Sequence, residues 1–167
     1  MTGVFLADAS ALQGMFELFA PPNIHRLVDR LTKAVDDREL GFPREVVTNL
    51  QVVARDDPVS FWAGGLGRRL NHFRADIVHD RTLMKHVDAL GFEEGFETLD
   101  GSDPCIASIG RLACQYQHER TEFTVVTEDV GEGPLSPTME QLCTTALWPY
   151  CDASACIRYL GLGNYLP

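Results

Sequence analysis

The sequence predicts an α/β fold of three layers, α/β/α, in which helices cover both faces of a central parallel sheet. Two observations carry that prediction. Residues 3–7 (GVFLA) and Phe123–Thr127 (FTVVT) are short, continuously apolar runs rich in β-branched and aromatic residues, as in strands covered on both sides. Around them apolar residues recur at helical spacing, so strands alternate with helices as parallel crossovers require. The chain shows no internal repeat, linker or low-complexity stretch, and 167 residues are read as a single domain, residues 1–167.

The elements follow in order. The first strand ends at Asp8, and Ser10–Phe19 continues as a helix. Pro21-Pro22-Asn23 breaks the chain before Ile24–Val35, where Ile24, Leu27, Val28, Leu31 and Val35 mark one helical face. Leu40–Phe42 reads as a second short strand. Pro43 suits the first turn of the next helix, Arg44–Ala54, with Val46, Val47, Leu50 and Val53 inward. Asp56-Asp57-Pro58 opens a helix through Phe61, Trp62 and Leu66, weakened at its end by Gly64, Gly65 and Gly67. Residues 70–90 carry helical spacing throughout, and Gly91–Gly101 reads as a loop. Asp103-Pro104 opens a helix through Ile106, Ile109, Leu112 and Tyr116. After the FTVVT strand come a loop (Gly131–Pro137), a helix (Thr138–Ala146), an edge strand (Trp148–Cys151) and a last helix (Ala153–Leu160).

Composition narrows the function classes. Hydrophobic residues at 45% and charged residues at 23% describe a globular chain, and no apolar run is long enough to span a bilayer. The start, MTGVFLADAS, has neither the basic opening nor the cleavage site of a signal peptide, so a cytoplasmic location is expected. With 14 Lys and Arg against 24 Asp and Glu, the net charge of −10 opposes a broad nucleic-acid-binding surface. It is compatible with an enzyme whose metal ion supplies local positive charge, or with a basic partner. The cysteines Cys105, Cys114, Cys143, Cys151 and Cys156 form no CxxC, and the histidines form no HxxxH pair, so zinc chemistry is not expected. Gly64-Gly65-Leu66-Gly67 lacks the lysine of a phosphate loop. Arg68, Arg69, His72 and Arg74 are the best sequence candidates for guiding a nucleic acid, though a charged surface would read the same way.

In a parallel sheet, sites collect where strands end and strand order reverses. Three segments place acids in such positions. Asp8 closes the first strand in Val4-Phe5-Leu6-Ala7-Asp8-Ala9-Ser10. Asp103 opens a helix in Gly101-Ser102-Asp103-Pro104-Cys105-Ile106-Ala107. Asp129 lies just past the strand in Val125-Val126-Thr127-Glu128-Asp129, with Glu128 read as facing solvent. Carboxylates about 4 Å apart repel by roughly 4 kcal/mol at an effective dielectric near 20, so converging acids call for a cation, a shared proton or ample water. Each acid also has a plainer role open to it, Asp8 and Asp103 as helix caps and Asp129 as a turn residue.

In this order the three segments resemble the PIN-domain family of metal-dependent ribonucleases, which includes VapC-like toxins of toxin–antitoxin pairs. The ending, from Ser136-Pro137-Thr138 through Cys143 to Cys156-Ile157-Arg158-Tyr159-Leu160, is similar to a PIN-like subgroup. The resemblance implies a PIN-like sheet and an endoribonuclease using Mg²⁺ or Mn²⁺ to activate a water against an RNA phosphodiester. Asp8, Asp103 and Asp129 would be the metal ligands, and Ser10 and Thr127 would hold a carboxylate or a bound water. An antitoxin protein and a second copy of the chain are the implied partners.

One position departs from the pattern. The family's further acid, on the helix after the second strand and just before a leucine, is replaced by Asn49 ahead of Leu50. Glu45 lies four residues earlier on the same helical face and could take the catalytic place, or Asn49 could bind through water. Failing both, the chain would be an inactive PIN-like module that binds protein or RNA.

Overall fold

A computed structural model describes residues 3–92, 96, 105–133 and 136–167. Among these, the strands β1 (Val4–Ala7), β2 (Leu40–Gly41), β3 (Phe123–Val126) and β4 (Tyr150–Cys151) form one sheet in the order β2-β1-β3-β4. Every pairing is parallel, with Leu6 opposite both Gly41 and Val125, and Val126 opposite Cys151. The expected three-layer α/β/α arrangement is therefore the fold of this chain.

The helices are α1 (Ala9–Glu17), α2 (Ile24–Asp36), α3 (Arg44–Val53), α4 (Pro58–Gly64), α5 (Asp80–Ala89), α6 (Cys105–Glu119), α7 (Met139–Ala146) and α8 (Ala153–Tyr159). They are amphipathic: α2 buries Leu27, Leu31, Ala34 and Val35, the stripe its spacing specifies. The helix α1 packs on α4 and α8, α5 on α6 and α7, and α6 lies against β1 and β3. Both central strands are buried almost completely, which explains their unbroken apolar character.

Residues 70–90 do not form the continuous helix that their spacing suggests. A 3-10 stretch covers Gly67–Phe73, Arg74 is extended (φ −96°, ψ 116°), and α5 begins only at Asp80. The break is made by polar side chains: the Asp76 carboxylate accepts from Val78 N at 3.0 Å, and Asp76 N donates to Gln115 of α6. Local bonding of this kind competes with the helical ladder. Leu70 and Phe73 are nevertheless buried, so the apolar spacing marks a real inner face. The Phe73 ring lies directly over Gly41 of β2, where a Cβ would meet ring carbons at 2.1–2.4 Å. A glycine at the end of β2 is what allows this segment to seat on the sheet.

Candidate active site

The strand order reverses between β1 and β3: from β1 the chain crosses to β2 on one side, and later to β3 on the other. Asp8 follows β1 and residues 127–129 follow β3, so these residues lie at the carboxyl-end crevice of the switch point.

Asp8 is 4% exposed and caps α1. Its Oδ1 accepts from Ser10 Oγ at 2.7 Å and from Ala11 N at 2.8 Å, while Oδ2 accepts from Thr127 Oγ1 at 2.5 Å. The two hydroxyls in turn accept from the loop after β3: Glu128 N donates to Ser10 Oγ at 2.9 Å and Asp129 N to Thr127 Oγ1 at 3.0 Å. Each hydroxyl thus bridges a backbone N–H to the Asp8 carboxylate, orienting its proton toward Asp8. Asp129, half-buried, accepts from Met139 N at 2.9 Å, the first residue of α7. It thereby satisfies one of the backbone donors at the N-terminus of that helix. The capping box of Thr138 and Gln141 fixes where that helix starts.

Burial pulls the Asp8 carboxyl above its ordinary value of 3.8. The Ser10 and Thr127 hydroxyls and the Ala11 amide act in the opposite direction, and the charge of Asp129 adds to the increase. The thiol of Cys105, at the start of α6, is pushed to about 11 by burial and lies within reach of the charges of Asp8 and Asp129. It remains protonated at neutral pH. Its position brings the N-terminus of α6 to the acid pair.

Of the sequence-predicted residues, Asp8, Ser10, Thr127 and Asp129 are therefore gathered at one place. Asp103 lies outside the described residues. Glu45 is exposed in the first turn of α3, and Asn49 is half-buried one turn further on. Neither has a hydrogen bond to Asp8 or Asp129. Glu128 is exposed, as the sequence suggests, yet its carboxylate accepts from Ala153 N at 2.8 Å and caps α8. No local pattern signalled that contact across 25 residues; the nearest sign is Gly14 in α1, where a Cβ would meet Glu128 Cγ at 3.1 Å. Beside Ser10 and Glu128, a hollow of about 450 Å³ opens between α1 and α8 and includes Glu17.

The donor set suits a hard cation. One of the roughly four lone-pair positions of the Asp8 carboxylate is left open, on Oδ2, and among the described residues Asp129 Oδ1 accepts no hydrogen bond. Mg²⁺ is commonly held by one or two carboxylates with water completing its shell. Among the described residues no group of three or more His, Cys, Asp or Glu is placed to hold a metal ion, so Asp8 and Asp129 alone are in question.

No protein-family model matches the chain, and no curated protein matches it. Among the described residues no helix is long and apolar enough to cross a membrane.

Proposed function

We propose that this chain is a PIN-like endoribonuclease that hydrolyses RNA phosphodiester bonds with Mg²⁺ or Mn²⁺, acting in the cytoplasm as the toxin of a toxin–antitoxin pair. The observation that carries the reading is the pairing of Asp8 and Asp129 at the switch point of a parallel sheet, Asp8 being held in one orientation by two hydroxyls. A buried carboxylate near a second one is costly without a cation, and perturbed groups such as Asp8 concentrate at functional sites. A divalent ion there would offset charge on the scissile phosphate and activate a water. In this reading Asp8 and Asp129 are ligands, joined by Asp103 from the segment preceding α6. Ser10 and Thr127 orient Asp8.

Asn49 and the exposure of Glu45 favour a second reading: a PIN-like module that binds RNA or protein without cleaving. Two measurements separate them. Mn²⁺ should raise the melting temperature of the wild-type protein by mass action, and Asp8→Asn should abolish the shift. Cleavage of a mixed RNA pool should be lost with a chelator. A wild-type protein that shows neither effect is no metal-dependent nuclease, and chelator-insensitive RNA binding alone would select the second reading.

A further inference from the structure

A second region of the same sheet edge carries charge of the opposite sign. From Pro58 to Ala75 the chain has three arginines, Arg68, Arg69 and Arg74, and no Asp or Glu, although its net charge is −10. This segment includes the 3-10 stretch that Phe73 fastens over Gly41. Between it and the start of α3 lies a cavity of about 560 Å³ lined by Arg44, Asn71 and Arg74, with Leu70 and Phe73 behind them and Glu45 at its side. Arg44 is tied down, donating to Asn71 Oδ1 at 2.8 Å and to Gly67 O at 3.3 Å. Arg74 is exposed and makes no hydrogen bond or ion pair among the described residues, unlike Arg69, which pairs with Asp36 at 2.9 Å. An exposed arginine without a carboxylate partner is free to contact an anion, and Arg74 lines a cavity where it can do so.

Its placement relative to the acids gives the anion an identity. Leu6 pairs with Gly41, so Asp8 and Pro43 leave the sheet at the same level on adjacent strands, which run about 4.8 Å apart. The cavity opens at the start of α3, on the β2 side of Asp8. The hollow on the other side, between α1 and α8, is lined by Glu17 and Glu128 and repels phosphate. Of these two sides, the β2 side offers a polyanion the more favourable approach.

We infer that the cavity of Arg44, Asn71 and Arg74 binds a backbone phosphate of single-stranded RNA flanking the bond to be cut, so that the strand reaches Asp8 from the β2 side. The inference rests on the nuclease reading for what happens at Asp8, but the binding itself needs no cation.

The test is therefore made in EDTA, using fluorescence anisotropy of a labelled single-stranded RNA of about ten nucleotides at low salt, with the full chain. Arg74→Ala should weaken binding about tenfold, as for a lost charge-assisted contact. Its slope of log affinity against log salt should fall by about 0.7. Arg74→Glu should weaken binding further, and Arg74→Lys should retain most of it. Lys85→Ala, exposed on α5 away from the cavity, should bind as the wild type does. The inference is overturned if Arg74→Ala binds like the wild type, if Lys85→Ala loses as much, or if a mononucleotide displaces the RNA at equal concentration, which would assign the cavity to a small phosphorylated ligand. If Arg74-dependent binding holds while no chelator-sensitive cleavage is found, the nuclease reading fails and the RNA site stands.

Discussion

Asp8 and Arg74 carry charge at the same edge of the sheet in opposite ways. Asp8 is buried, and three donors fix it before any ligand arrives. Arg74 is exposed, and only its backbone is held in place, through the neighbouring Phe73 on Gly41. The difference reflects what each charge costs. A buried carboxylate is expensive, and its orientation must be set in advance to be useful; an exposed guanidinium costs little and can find its partner by moving. Substitutions at the acid pair should therefore change chemistry and stability together, while those at the arginine should change binding alone.

The largest test of that contrast is Asp8→Asn, which should move two readouts in opposite directions. Chelator-sensitive cleavage should fall at least about 100-fold, since an amide is a poor ligand for a hard cation. The metal-free protein should melt at a higher temperature, because Asn can still accept from Ala11 and removes a buried charge beside Asp129. An Asp8 that served only to cap α1 would leave cleavage unchanged, because Asn caps equally well, while the melting temperature would rise all the same. Thr127→Val comes next: it deletes the donor to Asp8 and leaves Asp129 N without its acceptor. A loss of roughly 2–3 kcal/mol is expected in urea unfolding.

On the other side of the comparison, Gly41→Ala should drive a Cβ into the Phe73 ring and cost about 2 kcal/mol. If this segment is seated as described, the variant should also weaken RNA binding, whereas Thr127→Val should not. The pH dependence sharpens the acid side. Asp8 binds its proton more tightly folded than unfolded, so its contribution to stability is fully present below 3.8 and is lost as pH rises through the raised value. Metal-free wild type should lose melting temperature across that rise more steeply than Asp8→Asn does. The smallest effect is a control outside both regions. Leu147 ends α7 with φ 60° and is 86% exposed, so Leu147→Gly should gain about 1 kcal/mol and leave cleavage and RNA binding unchanged.

How legible each feature was in the sequence follows from how local its cause is. The strands β1 and β3 were readable because a strand covered on both faces needs an unbroken apolar run. Asp8, Ser10, Thr127 and Asp129 were readable because each lies within three residues of such a strand's end. The break at Arg74–Asp76 was hidden, because it depends on Gln115 approaching from α6. Glu128 capping α8 and Met139 N reaching Asp129 were hidden for the same reason: both unite segments ten or more residues apart, and a local pattern encodes neither. The cavity at Arg74 left a partial trace, the cluster Arg68, Arg69, His72 and Arg74. Its position beside the acids emerges only from the register of β2 on β1.

The bond from Thr127 to Asp8 joins residues 119 apart in the chain. A polypeptide emerging from the ribosome therefore carries Asp8 early but lacks its orienting hydroxyl until three quarters of the molecule has been made. Domains of this kind acquire long-range strand pairing late in folding. Under the nuclease reading proposed above, the site around Asp8 is completed only when β3 docks against β1.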